Sequence, residues 1–178
     1  SGTTLIERLV GELPGAVSLG EVVHLWERGV RAGESCGCGE GFRDCGFWTE
    51  VGELAFGGWD ALDLDRLTEL RLRVDRIRHI PMLSRRALPT GLQRTLREYL
   101  DHYLRLYDAA RRVSGARLLI DSSKHASLAF CLRWAHLAGR LDLRVVHVVR
   151  DSRGVAVSWA KQVRRPEAVD GGEEDMAQ

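Results

Sequence analysis

Lysine is almost missing from this chain: Lys124 and Lys161 stand against 24 arginines in 178 residues. So strong a bias follows the coding of a GC-rich genome, and it marks a position that keeps lysine as one that calls for an ammonium rather than a guanidinium. Lys124 is singled out on this ground. Net charge is small as well. At +1 the chain has no global basic field of the kind that draws nucleic acid, so an anion site must be built locally. No apolar run reaches the roughly 20 residues that a membrane-spanning helix needs. No GK pair follows the SGTT run, so the G-x-x-x-x-G-K-[ST] loop that cradles nucleoside triphosphates is absent and a donor other than ATP is favoured. There is no internal repeat. The four cysteines hold no C-x-x-C pair. Cys36, Cys38 and Cys45 form C-x-C-x6-C with Cys131 far away, short of the four ligands structural zinc takes, and no metal is expected. A bridge inside this loop would need an oxidising compartment.

What is present suits one folded domain. Hydrophobic residues make up 44% and charged residues 29%, ordinary values for a chain long enough to bury a core. Leu5, Ile6, Leu9, Val10 and Leu13 follow helical spacing, which puts Ser1, Gly2, Thr3 and Thr4 in the first turn. The free N–H groups and positive dipole end of such a turn bind anions. Gly2 allows close backbone approach, and three hydroxyls add donors. A strand should precede such a loop, so the chain is expected to start inside a phosphate-binding motif.

Pro14 and Gly15 then make a turn, residues 16–21 read as a short buried strand ending in Glu21, and residues 22–30 return to helical spacing. Residues 32–48 are Gly- and Cys-rich and irregular by composition. Helices are expected over 64–77 and about 90–113, with Pro81 and Pro89 bracketing the loop between them. Residues 116–125 read as a strand running into a polar loop, 126–139 as a helix ended by Gly139, and 143–149, LRVVHVV, as a strand buried on both faces. A further helix follows RDSRG, and the acidic tail 166–178 is expected to be disordered. Strand, polar loop and helix thus recur three times. The expected fold is α/β in three layers, a central parallel sheet flanked by helices with a ligand at its carboxyl edge.

Three loops at that edge, SGTT, SSKH and RDSRG, supply N–H groups, hydroxyls, an ammonium and two guanidiniums. This inventory suits a ligand with more than one phosphate-like group. Glu21, at a strand end beside the donor loop, is placed to act as a general base on an acceptor hydroxyl. It is equally placed to be the acidic N-terminal residue of the next helix. His24, three residues on, is the rival base. Lys124 reads either as a charge stabiliser or as an exposed surface lysine. Arg150 reads either as a phosphate ligand or as half of an ion pair with a neighbouring carboxylate, and Ser158 as a ligand or as filler on a helix face. Phe47, Trp48 and Trp59 line either an acceptor pocket or the core.

SGTTLIERL, SLGE, SSKH and VVRDSRGVAVSW, in this order and spacing, resemble the sulfotransferases that use 3'-phosphoadenosine-5'-phosphosulfate (PAPS), with the bacterial branch closest and similarity to the tyrosylprotein sulfotransferases. The resemblance covers residues 1 to about 165, taken as the domain. It implies a P-loop-like fold in which Ser1, Gly2, Thr3 and Thr4 wrap the 5'-phosphosulfate and Arg150 with Ser158 holds the 3'-phosphate. It implies Glu21 of the GE pair as base, His24 as the alternative, and Lys124 as stabiliser of the oxygen that leaves with the adenosine bisphosphate. The CGCG…C…FW stretch, which bacterial members often carry, is read as shaping a loop near the acceptor. The family also has a basic residue and a first strand before the SGTT serine, and an Arg- and Gly-rich segment beyond the present end, so the domain is expected to be incomplete at both ends and to lack its first strand.

The expected activity is transfer of a sulfuryl group from PAPS to a hydroxyl on a small molecule, glycan, lipid or tyrosine. PAPS is the co-substrate, 3'-phosphoadenosine-5'-phosphate the product, no nucleic acid or membrane span is involved, and the location is cytoplasmic. Two other readings share the phosphate loops: a phosphotransferase or nucleotide hydrolase dependent on ATP and Mg²⁺, and a non-catalytic nucleotide-binding module.

Overall fold

A computed structural model describes residues 2–149 together with Asp151 and Arg153. Helix α1 (Gly2–Gly11) turns through Pro14 into strand β1 (Ala16–Ser18), and a three-residue α2 (Val22–His24) runs on without a break into a π-helical stretch, Leu25–Arg31. The hairpin and turns of residues 34–44 lead to α3 (Gly46–Phe56). Helix α4 (Leu64–Val74) is capped by Asp63, whose side chain accepts the Arg66 N–H at 2.8 Å. The short α5 (Ile80–Leu83), the 25-residue α6 (Thr90–Ser114), strand β2 (Leu118–Ile120) and α7 (Ala126–Leu137) follow.

The three-layer α/β expectation is corrected here. Among the described residues the chain is mostly helical, and its one sheet has two short parallel strands, with Ala16 opposite Leu118 and Ser18 opposite Ile120. The stretch 143–149 forms no strand. Val145, Val146 and Val149 are 64%, 75% and 80% exposed. A β-branched run states a preference for pleated, half-buried surface, but a strand exists only when a neighbouring edge takes its N–H and C=O groups. No such pairing reaches this segment among the described residues.

Helix α6 organises the core. Its Tyr99, Tyr103 and Tyr107 recur every four residues and so share one face; they are all the tyrosines the chain has. The Tyr99 hydroxyl donates to Asp75 Oδ2 at 2.8 Å and lies 3.1 Å from the Tyr103 hydroxyl, which accepts the Trp26 indole N–H at 3.1 Å. Tyr99 and Tyr103 are fully buried, and each polar tip has a partner, as burial requires. One helix thereby fixes the end of α4 and the π-helical stretch.

The Gly- and Cys-rich region is more ordered than its composition suggests, and α3 starts inside it. Phe42 stacks on Trp48 at 5.4 Å, and the Trp59 indole donates to the Trp48 carbonyl at 3.0 Å. Trp48 and Trp59 are buried and Phe47 is partly buried against the same core. These aromatics are packing residues, which decides between the two readings open from sequence. Gly52 is required by this packing: a Cβ there would lie 2.5 Å from the Trp59 ring.

Candidate active site

Strands β1 and β2 end side by side, and the two loops beyond them are stitched together. The Leu19 N–H donates to the Ile120 carbonyl and the Ser122 N–H to the Gly20 carbonyl, both at 2.9 Å. Gly20 sits at φ +69°, a left-handed conformation that glycine adopts without strain. The N-terminus of α2 is capped from the other loop: Asp121 Oδ1 accepts the Val22 N–H at 3.3 Å and Ser123 Oγ accepts the Val23 N–H at 2.9 Å.

This cross-loop capping releases Glu21. Although Glu21 is the N-cap residue of α2, its side chain makes no capping bond. Its Oε1 instead meets Lys124 Nζ at 2.5 Å, and its Oε2 lies 3.4 Å from His24 Nε2. The His24 ring stands edge-on to His125, with centroids 5.5 Å apart. Burial first, then the Arg28 charge, lowers the His24 imidazole below its ordinary value, outweighing the pull of Glu21 in the opposite sense. The Glu21 and Lys124 side chains are 35% and 51% exposed, so their pairing adds little to stability. Its interest is chemical.

Two clefts border the cluster, and His125 lines both. One, of about 400 Å³, is lined by Arg71, Asp75, Arg76, Arg78 and Ser127. Asp75 is buried there, and its Oδ1 has no hydrogen-bond partner among the described residues. The other, of about 540 Å³, includes Tyr107, Asp121, Ser123 and the 141–146 segment.

The structure thus brings together Glu21, His24 and Lys124, residues 103 apart at the extremes. Gly2, Thr3 and Thr4 form the start of α1. That helix packs against β1, with Glu7 Oε1 accepting from Ser18 Oγ at 2.5 Å. Ser1, Arg150 and Ser158 lie outside the described residues. Asp151 accepts the Arg153 N–H at 2.9 Å and pairs with its guanidinium at 3.1 Å, which holds the Asp151 carboxyl below its usual range. Sequence reasoning assigned no role to Asp121, Asp75, Arg71 or His125. Asp121 carried a signal, being the first charge after a strand, and His125 another, as the last residue of the SSKH loop beside Lys124; Asp75 and Arg71 are joined to the site only by tertiary packing.

No protein-family model, no curated protein and no solved structure matches the chain. Among the described residues no helix is long and apolar enough to cross a membrane.

Proposed function

We propose that this chain carries out sulfuryl transfer from PAPS to an acceptor hydroxyl. The observation that carries the reading is the contact of Glu21 with Lys124, flanked by His24, where two parallel strands end. Sulfuryl transfer asks for a base at the acceptor oxygen and a positive charge at the leaving oxygen on the far side of the sulfur, so donor and acceptor must part the 2.5 Å Glu21–Lys124 contact on binding. Glu21 takes the proton of the acceptor hydroxyl as its oxygen bonds to sulfur. The bond from sulfur to the bridging phosphate oxygen breaks, and Lys124 stabilises the charge left on the adenosine bisphosphate. His24, with its proton affinity lowered, orients Glu21 or takes the proton in its place. The first turn of α1 offers N–H groups to the phosphosulfate, and Arg150 with Ser158 takes the 3'-phosphate, as the family resemblance implies.

The cleft beside His125 favours an anionic acceptor, because Arg71, Arg76 and Arg78 line it against the single carboxylate of Asp75. The test is calorimetric titration of 3'-phosphoadenosine-5'-phosphate into the full-length protein, beside Arg150→Ala and an ATP control, followed by a sulfation assay over a hydroxyl library. Binding that is lost in Arg150→Ala and unmatched by ATP, with turnover that depends on Glu21, supports the reading. No binding by the folded protein, or preference for ATP with Mg²⁺, overturns it.

A further inference from the structure

The cysteines that sequence spacing set aside converge in space. Cys36, Cys38 and Cys45 place their sulfurs within 4.8 Å of one another, and Cys38 Sγ lies 3.7 Å from Cys45 Sγ. With zinc–sulfur bonds of about 2.3 Å, two thiolates on a tetrahedral ion stand roughly 3.8 Å apart. We propose that these three thiolates bind one zinc ion, with water completing the tetrahedron on the solvent side.

The backbone around the cluster is a knuckle. Ser35 bridges Gly41 across a hairpin whose tip is closed by the Cys36 N–H to the Glu40 carbonyl at 2.7 Å and the Gly39 N–H to the Cys36 carbonyl at 2.9 Å. Gly39, at φ +94°, makes that tip possible. The hairpin delivers Cys36 and Cys38 to one side. The third thiol arrives from the N-cap of α3, held by the Cys45 N–H to the Gly41 carbonyl at 2.9 Å. C-x-C-x6-C spacing fell short for zinc because it lacks C-x-x-C pairs and a fourth protein ligand, whereas a site with water in the fourth position needs only three.

Neither other use of these cysteines accounts for the whole cluster. Core packing explains Cys45, which is buried, but not Cys38, which is exposed. A disulfide joins two sulfurs at about 2.05 Å and leaves the third unpaired. A divalent ion takes all three as thiolates and releases their protons. The ion would pin the hairpin to α3.

Cobalt(II) titration of the reduced, tag-free full-length protein tests this. Saturation at one equivalent is expected, with a near-ultraviolet thiolate-to-cobalt band, tetrahedral visible bands, and displacement of both by zinc. Cys38→Ser alters an exposed side chain, so circular dichroism should be unchanged while the charge-transfer intensity falls by about a third, three thiolates becoming two. Cys131→Ser, a cysteine outside the cluster, should leave the spectrum intact. Absence of the band in folded, fully reduced protein overturns the proposal, as does a band that survives Cys38→Ser at full intensity.

Discussion

The Tyr107 hydroxyl donates to Asp121 Oδ2 at 2.6 Å, while Asp121 Oδ1 accepts the N–H groups of Ser123 at 2.8 Å and Val22 at 3.3 Å. One carboxylate, held by α6, therefore sets the path of both loops that carry Glu21 and Lys124. Tyr107→Phe removes the donor and leaves a half-buried carboxylate oxygen without it, which should cost about 1–3 kcal/mol. Thermal unfolding checks this, and an unchanged melting temperature would show that the loops hold themselves.

Glu21→Gln and Lys124→Ala separate base from charge stabiliser. Loss of a general base is expected to lower kcat by roughly 100- to 10,000-fold. Lys124→Ala should lower kcat on the order of 100-fold while affinity for 3'-phosphoadenosine-5'-phosphate barely moves, because the ammonium acts on charge that develops in the transition state. Turnover and calorimetry on the same preparations check both. A parallel loss of affinity in Lys124→Ala would make it a binding residue instead.

His24 gives the fold an acid sensitivity. Its folded-state proton affinity is lowered, by burial and then by Arg28, from an ordinary value of 6.5, so the unfolded chain takes up the proton first. The stabilisation is whole above about pH 6.5 and is lost as pH falls through the lowered folded value. In His24→Gln the fall in melting temperature between about pH 7 and pH 5 should shrink. Calorimetric scans of the two proteins across that range give the comparison, and equal falls would refute it.

Gly52→Ala sets two effects of opposite sign against each other. Alanine in a helix interior gains about 1 kcal/mol over glycine. The new Cβ, however, would stand 2.5 Å from the Trp59 indole, and overpacking of this kind costs about 1–3 kcal/mol. Net destabilisation in denaturant titration is expected; a more stable variant would mean that Trp59 swings aside freely.

Amphipathic spacing located most of α4, α6 and α7, each of which buries one stripe and shows the other to solvent; it also located α1, although Leu5 and Leu9 of that helix's apolar stripe stay 60% and 62% exposed. Polar residues at strand ends likewise marked Glu21 and Lys124. Helix α3 escaped notice because Gly46, Gly52 and Gly57 hide the helical spacing of Phe47, Trp48, Val51 and Ala55, and the reason for Gly52 is a tryptophan seven residues away. The 143–149 stretch failed in the other direction: its composition says strand, yet composition cannot supply a partner edge. The role of Asp121 depends on Tyr107 of α6 reaching it, which no local pattern encodes; the three cysteines are close in sequence, and what spacing could not show is that the 35–41 hairpin folds back to set Cys38 against Cys45 at the start of α3.

The separation of Glu21 from Lys124 by 103 positions has a kinetic meaning. Closing so long a loop costs entropy that only the helices between them can offset. The two charges meet only where β1 and β2 pair, so a chain in which that long loop is open does not hold the Glu21–Lys124 contact.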